Sequence, residues 1–144
     1  MNAQGFPKQE RIVSRKLIDD LFSGGQSLAL TAFPLRLVYK LVPSVTLHSS
    51  FTSEAPPSLQ LLISVSKRRF KHAVDRNRVK RQLREAFRKN KQLLAPAVPE
   101  GQMLAIAFVW LSDSHLPTAE IERRTKNALQ RIAQKLQQTP PPQL

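Results

Sequence analysis

Nine consecutive residues, Met103 to Leu111, are all apolar. Side chains of an extended chain alternate between two sides, so this run puts Met103, Ala105, Ala107 and Val109 on one face and Leu104, Ile106, Phe108 and Trp110 on the other. Neither face tolerates water, and a strand that needs cover on both sides belongs in the middle of a sheet. Nine residues are also about half of the roughly 18 to 20 that a membrane-spanning helix requires. A chain of 144 residues has room for one such core. The run therefore predicts a single domain with a sheet at its centre and helices laid against it.

The remaining elements follow from periodicity. Leu17, Ile18, Leu21 and Phe22 make a one-sided helical stripe over Ser14 to Phe22, and Gly24-Gly25 supplies a stop. Phe33, Leu35, Leu37, Tyr39 and Leu41 alternate with Pro34, Arg36, Val38 and Lys40, which predicts a strand with one partly basic face; Pro34 places that strand at an edge or puts the proline at its start. Pro43 to Ser58 holds three Pro, five Ser and two Thr without helical period and reads as a long loop. Leu59 to Ser66 alternates again. Val79, Leu83, Ala86 and Phe87 give a helix over Asp75 to Lys91 with Asp75 as a candidate N-cap, and Pro117 opens a last helix with Ile121, Thr125, Ala128, Leu129, Ile132 and Leu136 inward. The expectation is an α+β fold, a small mixed sheet with helices packed mainly on one face. One domain spans 10–136, between a flexible N-terminus over 1–9 and a flexible Pro-rich tail over 137–144.

Charge is distributed very unevenly. Lys67 to Lys91 carries twelve Lys/Arg and two acids, a net of +10 out of +13 for the whole chain. On a helical wheel, Arg76, Lys80, Arg84, Asn77, Arg88 and Arg81 fall within about 140° of one another, opposite the apolar stripe. Most charge runs are solvated helix faces, but those usually mix signs to gain i,i+4 pairs, whereas like charges at 76, 80, 84 and 88 cost a few tenths of a kcal/mol per pair. An external polyanion offsets that cost. Arg favours phosphate through its planar fork. A membrane-surface helix needs apolar residues left for lipid, and this helix uses Val79, Leu83 and Phe87 for its own core. Nucleic acid is the expected partner, with no membrane and no small-molecule substrate.

The stretch SVSKRRFKHAVDRNRVKRQLREAFRKN, Ser64 to Asn90, resembles the signature of the bacterial ribonuclease P protein component. The resemblance rests on Phe70, Ala73, the run Arg76-Asn77-Arg78-Val79-Lys80-Arg81, and Arg84, Glu85, Ala86, Phe87 and Arg88, and it extends in order over roughly residues 10 to 136. Pro43 to Ser58 is longer than the family's usual connection, Lys71-His72 stand where many members have Gly-Asn, and Ile18 stands where many have Phe. What the resemblance implies is an αβββαβα order with an extra short strand near Lys67 to Phe70 and a left-handed βαβ crossover. It further implies a non-catalytic protein subunit of an endoribonuclease whose active site is RNA with bound Mg²⁺. The partners it implies are the catalytic ribonuclease P RNA and precursor tRNA, whose 5′ leader is removed to give the mature 5′ end. Lys67, Arg68, Arg76, Asn77, Arg78, Lys80, Arg81, Arg84 and Arg88 would meet RNA. Phe22, Phe33, Arg36, Tyr39 and Lys40 would line the leader cleft between the first helix and the sheet. By the residues alone, Phe22 and Phe33 suit core and cleft equally. The competing reading is a structural RNA-binding protein of the ribosome or another ribonucleoprotein.

Side-chain catalysis has little to work with. Asp19-Asp20 and Glu120/Glu122 read as helix-surface charge, and His48, His72 and His115 lack metal-ligand spacing. Cys is absent, and the N-terminal residues MNAQGFPKQERIVSRK lack the apolar segment of a secretory signal. A cytoplasmic location is the expectation.

Overall fold

The computed structural model of the chain describes residues 15–23, 27–43 and 59–138. Helix α1 (Arg15–Ser23) is followed by strands β1 (Leu28–Ala32), β2 (Leu35–Pro43) and β3 (Leu59–Ser64), helix α2 (Ala73–Asn90), short 3-10 turns at Lys91–Leu93 and Ala95–Ala97, strand β4 (Gln102–Trp110) and helix α3 (Thr118–Gln138). The sheet order is β1-β2-β4-β3. β1, β2 and β4 are antiparallel neighbours, and β3 joins β4 in parallel through the α2 crossover, so the sheet is mixed. The doubly apolar run lies inside the sheet, flanked by β2 and β3.

Its two faces meet different cover. Leu104, Ile106, Phe108 and Trp110, together with Leu35, Leu37 and Tyr39 of β2 and Leu59 and Leu61 of β3, pack against Val79, Leu83 and Phe87 of α2 and Ile121, Leu129 and Ile132 of α3. Phe87 meets Phe108 edge-on, with centroids 6.0 Å apart. On the opposite face Met103, Ala105, Ala107 and Val38 lie beneath Leu21 of α1. The alanines suit this thinner layer, because they bring a single short helix close to the sheet.

Several boundaries differ from the sequence reading. The extra strand is Leu28–Ala32, pairing with β2, and not Lys67 to Phe70, which forms a turn closed by the Arg69 and Phe70 N–H groups on the Ser66 carbonyl at 3.1 and 3.3 Å. LALTA buries only Leu30 and so shows no clear alternation. β3 stops at Ser64, two residues early, just ahead of that turn. β2 is an interior strand, and Pro34 precedes it in a turn with a cis Phe33-Pro34 peptide. α2 begins at Ala73 with His72 as N-cap, which leaves Asp75 in the first turn. Pro43 ends β2 instead of opening the loop, and α3 extends through Gln138, past the expected limit at 136. Gly24-Gly25, the 44–58 stretch with His48, the N-terminal 1–9 and the tail from 139 lie outside the described residues.

Candidate nucleic-acid interface

Strand register gathers the charged elements at one end. Leu35 of β2 pairs with Trp110 and Ser64 of β3 with Val109, so the start of β2 and the exits of β3 and β4 coincide. The Leu111 N–H donates to the Pro34 carbonyl at 2.8 Å and draws the β1–β2 turn against the end of β4. Both α2 and α3 start from this end and run the same way. Their common direction is marked by Asp75 with His115 at 3.0 Å, by Gln82 Nε2 donating to Thr118 Oγ1 at 2.9 Å, and by Lys89 with Glu122 at 2.9 Å.

Between β3 and α2 lies the cation-bearing turn. Lys67, Arg68 and Lys71 are exposed, whereas Phe70 is buried as its anchor. Arg76 points back to this turn: its Nη1 donates to the carbonyls of Phe70 and Lys71 at 2.9 and 3.0 Å. These bonds satisfy carbonyls that no strand ladder reaches. On the outer side of α2, Asn77, Arg78 and Arg81 are exposed, and Lys80 and Arg84 are half-buried. Lys67, Arg68, Arg78, Lys80, Arg81 and Arg84 form no ion pair with any described residue. Arg88, grouped with them by the sequence, instead donates through Nε to Glu85 Oε2 at 2.9 Å. That hydrogen bond holds the Glu85 carboxyl below the usual carboxylate range and raises the Arg88 guanidinium.

A slot of about 330 Å³ opens between α1 and the sheet, lined by Leu21, Phe22, Ser27, Ala29, Arg36, Val38 and Val109. Phe22 is 49% exposed at its rim, Arg36 is exposed, and Lys40 lies four residues further along the same face of β2. An apolar floor with an aromatic ring and a guanidinium suits an unpaired base and its phosphate. Two expected members are elsewhere. Tyr39 is 1% exposed on the opposite face, under the long helices, where burial raises its hydroxyl pKa. Phe33 is 58% exposed at the β1–β2 turn, outside the slot, and its carbonyl accepts from Arg124 of α3.

The sequence reading missed the segment after β4. Asp113 pairs with Arg69 at 3.2 Å, and His115 touches both Phe70 and Asp75. These partners are about 40 residues apart in the chain, and no local pattern marks them. Among the described residues no three His, Asp or Glu side chains come together in a group that could hold a metal ion. Nor is any described helix long and apolar enough to cross a membrane.

A predominantly cationic turn and helix face, together with a base-sized slot near the same end of a mixed sheet, place the molecule among small α+β domains suited to a polyanion. Comparison with known proteins narrows that class. The Ribonuclease P family model matches residues 6–133, and the chain belongs to that family. It is 41% identical over 130 residues to a ribonuclease P protein component of Porphyromonas gingivalis, covering 90% of this chain and 87% of the relative. A ribonuclease P protein component of Chlorobium phaeobacteroides is 37% identical over 103 residues, 71% of this chain and 64% of its own length. The fold is shared with the RNase P protein from Thermotoga maritima, with a TM-score of 0.59 at 20% identity over 85% of this chain and 96% of that one.

Proposed function

We propose that the chain is the protein subunit of ribonuclease P, binding the catalytic RNA and the 5′ leader of precursor tRNA and assisting the Mg²⁺-dependent cleavage that yields the mature tRNA 5′ end. Membership in the family supports this reading over a structural role in the ribosome. The observation that carries the division of labour is the shared end of the sheet. Cations without an ion-pair partner among the described residues stand on the 67–71 turn there and continue along α2 from its start, while the slot that holds Phe22 and Arg36 opens near the same end on the other face of the sheet.

Lys67, Arg68, Asn77, Arg78, Lys80, Arg81 and Arg84 neutralise crowded phosphates of the catalytic RNA. Arg76 acts through the turn it ties down, and Arg88 contributes as half of an ion pair. The leader, being single-stranded, runs into the slot, where Phe22 stacks on a base and Arg36 and Lys40 meet its backbone. Phe33 offers a second exposed ring at the neighbouring turn. The reaction belongs to the RNA and its Mg²⁺, and the protein's part is to hold substrate and RNA together in the cytoplasm.

The test is reconstitution. At low Mg²⁺, adding the protein to a bacterial ribonuclease P RNA and a precursor tRNA stimulates cleavage at the mature 5′ end. Cleavage at the same rate with and without the protein overturns the reading.

A further inference from the structure

His115 touches two separate parts of the cationic surface. Its ring lies flat on Phe70, with centroids 4.5 Å apart and planes 16° off parallel. Its Nε2 is 3.0 Å from Asp75 Oδ1 in the first turn of α2. Phe70 belongs to the turn that presents Lys67, Arg68 and Lys71, and Asp75 directly precedes Arg76. One side chain from the segment after β4 thus grips both the turn and the helix start.

The residues around it reinforce that grip. Asp113 holds Arg69 at 3.2 Å, and Arg76 ties the Phe70 and Lys71 carbonyls to α2. Ser112 Oγ donates to the Ser114 carbonyl at 3.1 Å and accepts from the Ser114 N–H at 3.0 Å, which stiffens the segment just ahead of His115. The imidazole directs Nε2 at Asp75, and its Nδ1 is buried with no hydrogen-bond partner among the described residues. An aromatic ring that only filled space would not need to meet a carboxylate. A carboxylate inside an RNA-facing surface also repels phosphate unless a neighbouring donor engages it.

We propose that His115 is a positioning residue for RNA docking: it latches the Lys67–Lys71 turn to the start of α2, so that the turn's cations meet the RNA already in place. This inference rests on the proposed function above. Cations on a free turn would have to be ordered at the moment of binding, and pre-ordering removes that cost. The latch therefore raises the contribution of Arg68 to RNA binding without touching RNA itself.

A double-mutant cycle on the full chain tests this, with a bacterial ribonuclease P RNA as probe and circular dichroism as the check on folding. His115→Phe keeps the stack on Phe70 and loses the Asp75 bond; His115→Gln keeps a donor near Asp75 and loses the stack. Each is expected to weaken RNA binding by about three- to tenfold, and His115→Ala by about tenfold or more. Arg68→Ala is expected to cost about fivefold in the wild-type background and less than about twofold beside His115→Phe. Losses that simply multiply overturn the latch, as does a His115→Phe protein that binds as wild type and differs only in melting temperature. Wild-type protein that fails to bind the RNA overturns the functional reading on which the latch depends. Normal wild-type binding with multiplying losses overturns the latch alone.

Discussion

Val38 and Tyr39 are neighbours in β2 and serve opposite faces of the sheet. Val38 lines the slot beneath α1, while Tyr39 is sealed under α2 and α3 with no hydrogen-bond partner for its hydroxyl among the described residues. A single step along the strand thus separates the proposed leader face from the core.

That separation sets a contrast between two aromatic substitutions. Phe22→Ala removes a half-exposed ring from the rim of the slot and is expected to weaken binding of leader-bearing precursor tRNA by about 1–3 kcal/mol. Mature tRNA, which has no leader, is unaffected. Tyr39→Phe leaves both affinities unchanged and is neutral or slightly stabilising, since it deletes a buried hydroxyl without a partner. Filter binding with the two tRNAs and urea melts check both results.

The outer face of α2 is expected to reveal itself through salt. Arg81→Ala combined with Arg84→Ala removes two guanidiniums that have no ion-pair partner among the described residues. Affinity for the catalytic RNA should fall, and the slope of log K against log salt should flatten by about 0.7–0.9 for each phosphate that is no longer neutralised. An unchanged slope places the RNA elsewhere.

Arg76 behaves differently from its helix neighbours. Its two bonds to the Phe70 and Lys71 carbonyls are intramolecular, so Arg76→Ala should cost about 1–2 kcal/mol of stability, in contrast to Arg81→Ala, which should cost almost none. Arg76→Lys restores only part of the loss, because an ammonium does not reproduce the planar fork. Chemical denaturation of the free protein distinguishes the two positions.

Acid stability follows from two carboxylates. Arg88 holds the Glu85 carboxyl below the usual range, and Arg123, then Arg124, does the same for Glu120. A depressed folded-state value means stability that is present above the ordinary glutamate range and is lost as pH falls through the folded value. Glu120→Gln and Glu85→Gln should therefore lower stability at neutral pH and flatten its decline in acid. Both pairs are partly exposed, so the effect is small and fades with added salt. Thermal melts across the acid range, at two ionic strengths, measure it.

Much of this structure is legible in the chain. Met103 to Leu111 demanded cover on both faces and received it, and the α2 stripe placed Val79, Leu83, Ala86 and Phe87 inward. Alternation along β2 put Tyr39 with Leu35 and Leu37, the face the helices occupy; only resemblance assigned it to the cleft. β1 escaped because an outer strand with one buried side chain has no period to read. Pairings such as His115 with Asp75 depend on how β4 and α2 come to share an end of the sheet, which no local window contains. The same limit applies to Arg76 and Arg88. The wheel gives the direction each leaves the helix, but not the carbonyl or carboxylate each finds there.

The register that brings the 67–71 turn and the slot to one end places the other strand termini at the opposite end, where α2 also finishes with Arg88 and Lys89. β2 finishes there at Pro43, opposite Gln102, and β3 starts there at Leu59, opposite Leu104. α3, about 31 Å long, heads the same way to Gln138. A fluorophore, affinity tag or surface tether attached through either exit would stand roughly the length of the sheet from the 67–71 turn and the slot, so contacts made at those two places could be followed without blocking them.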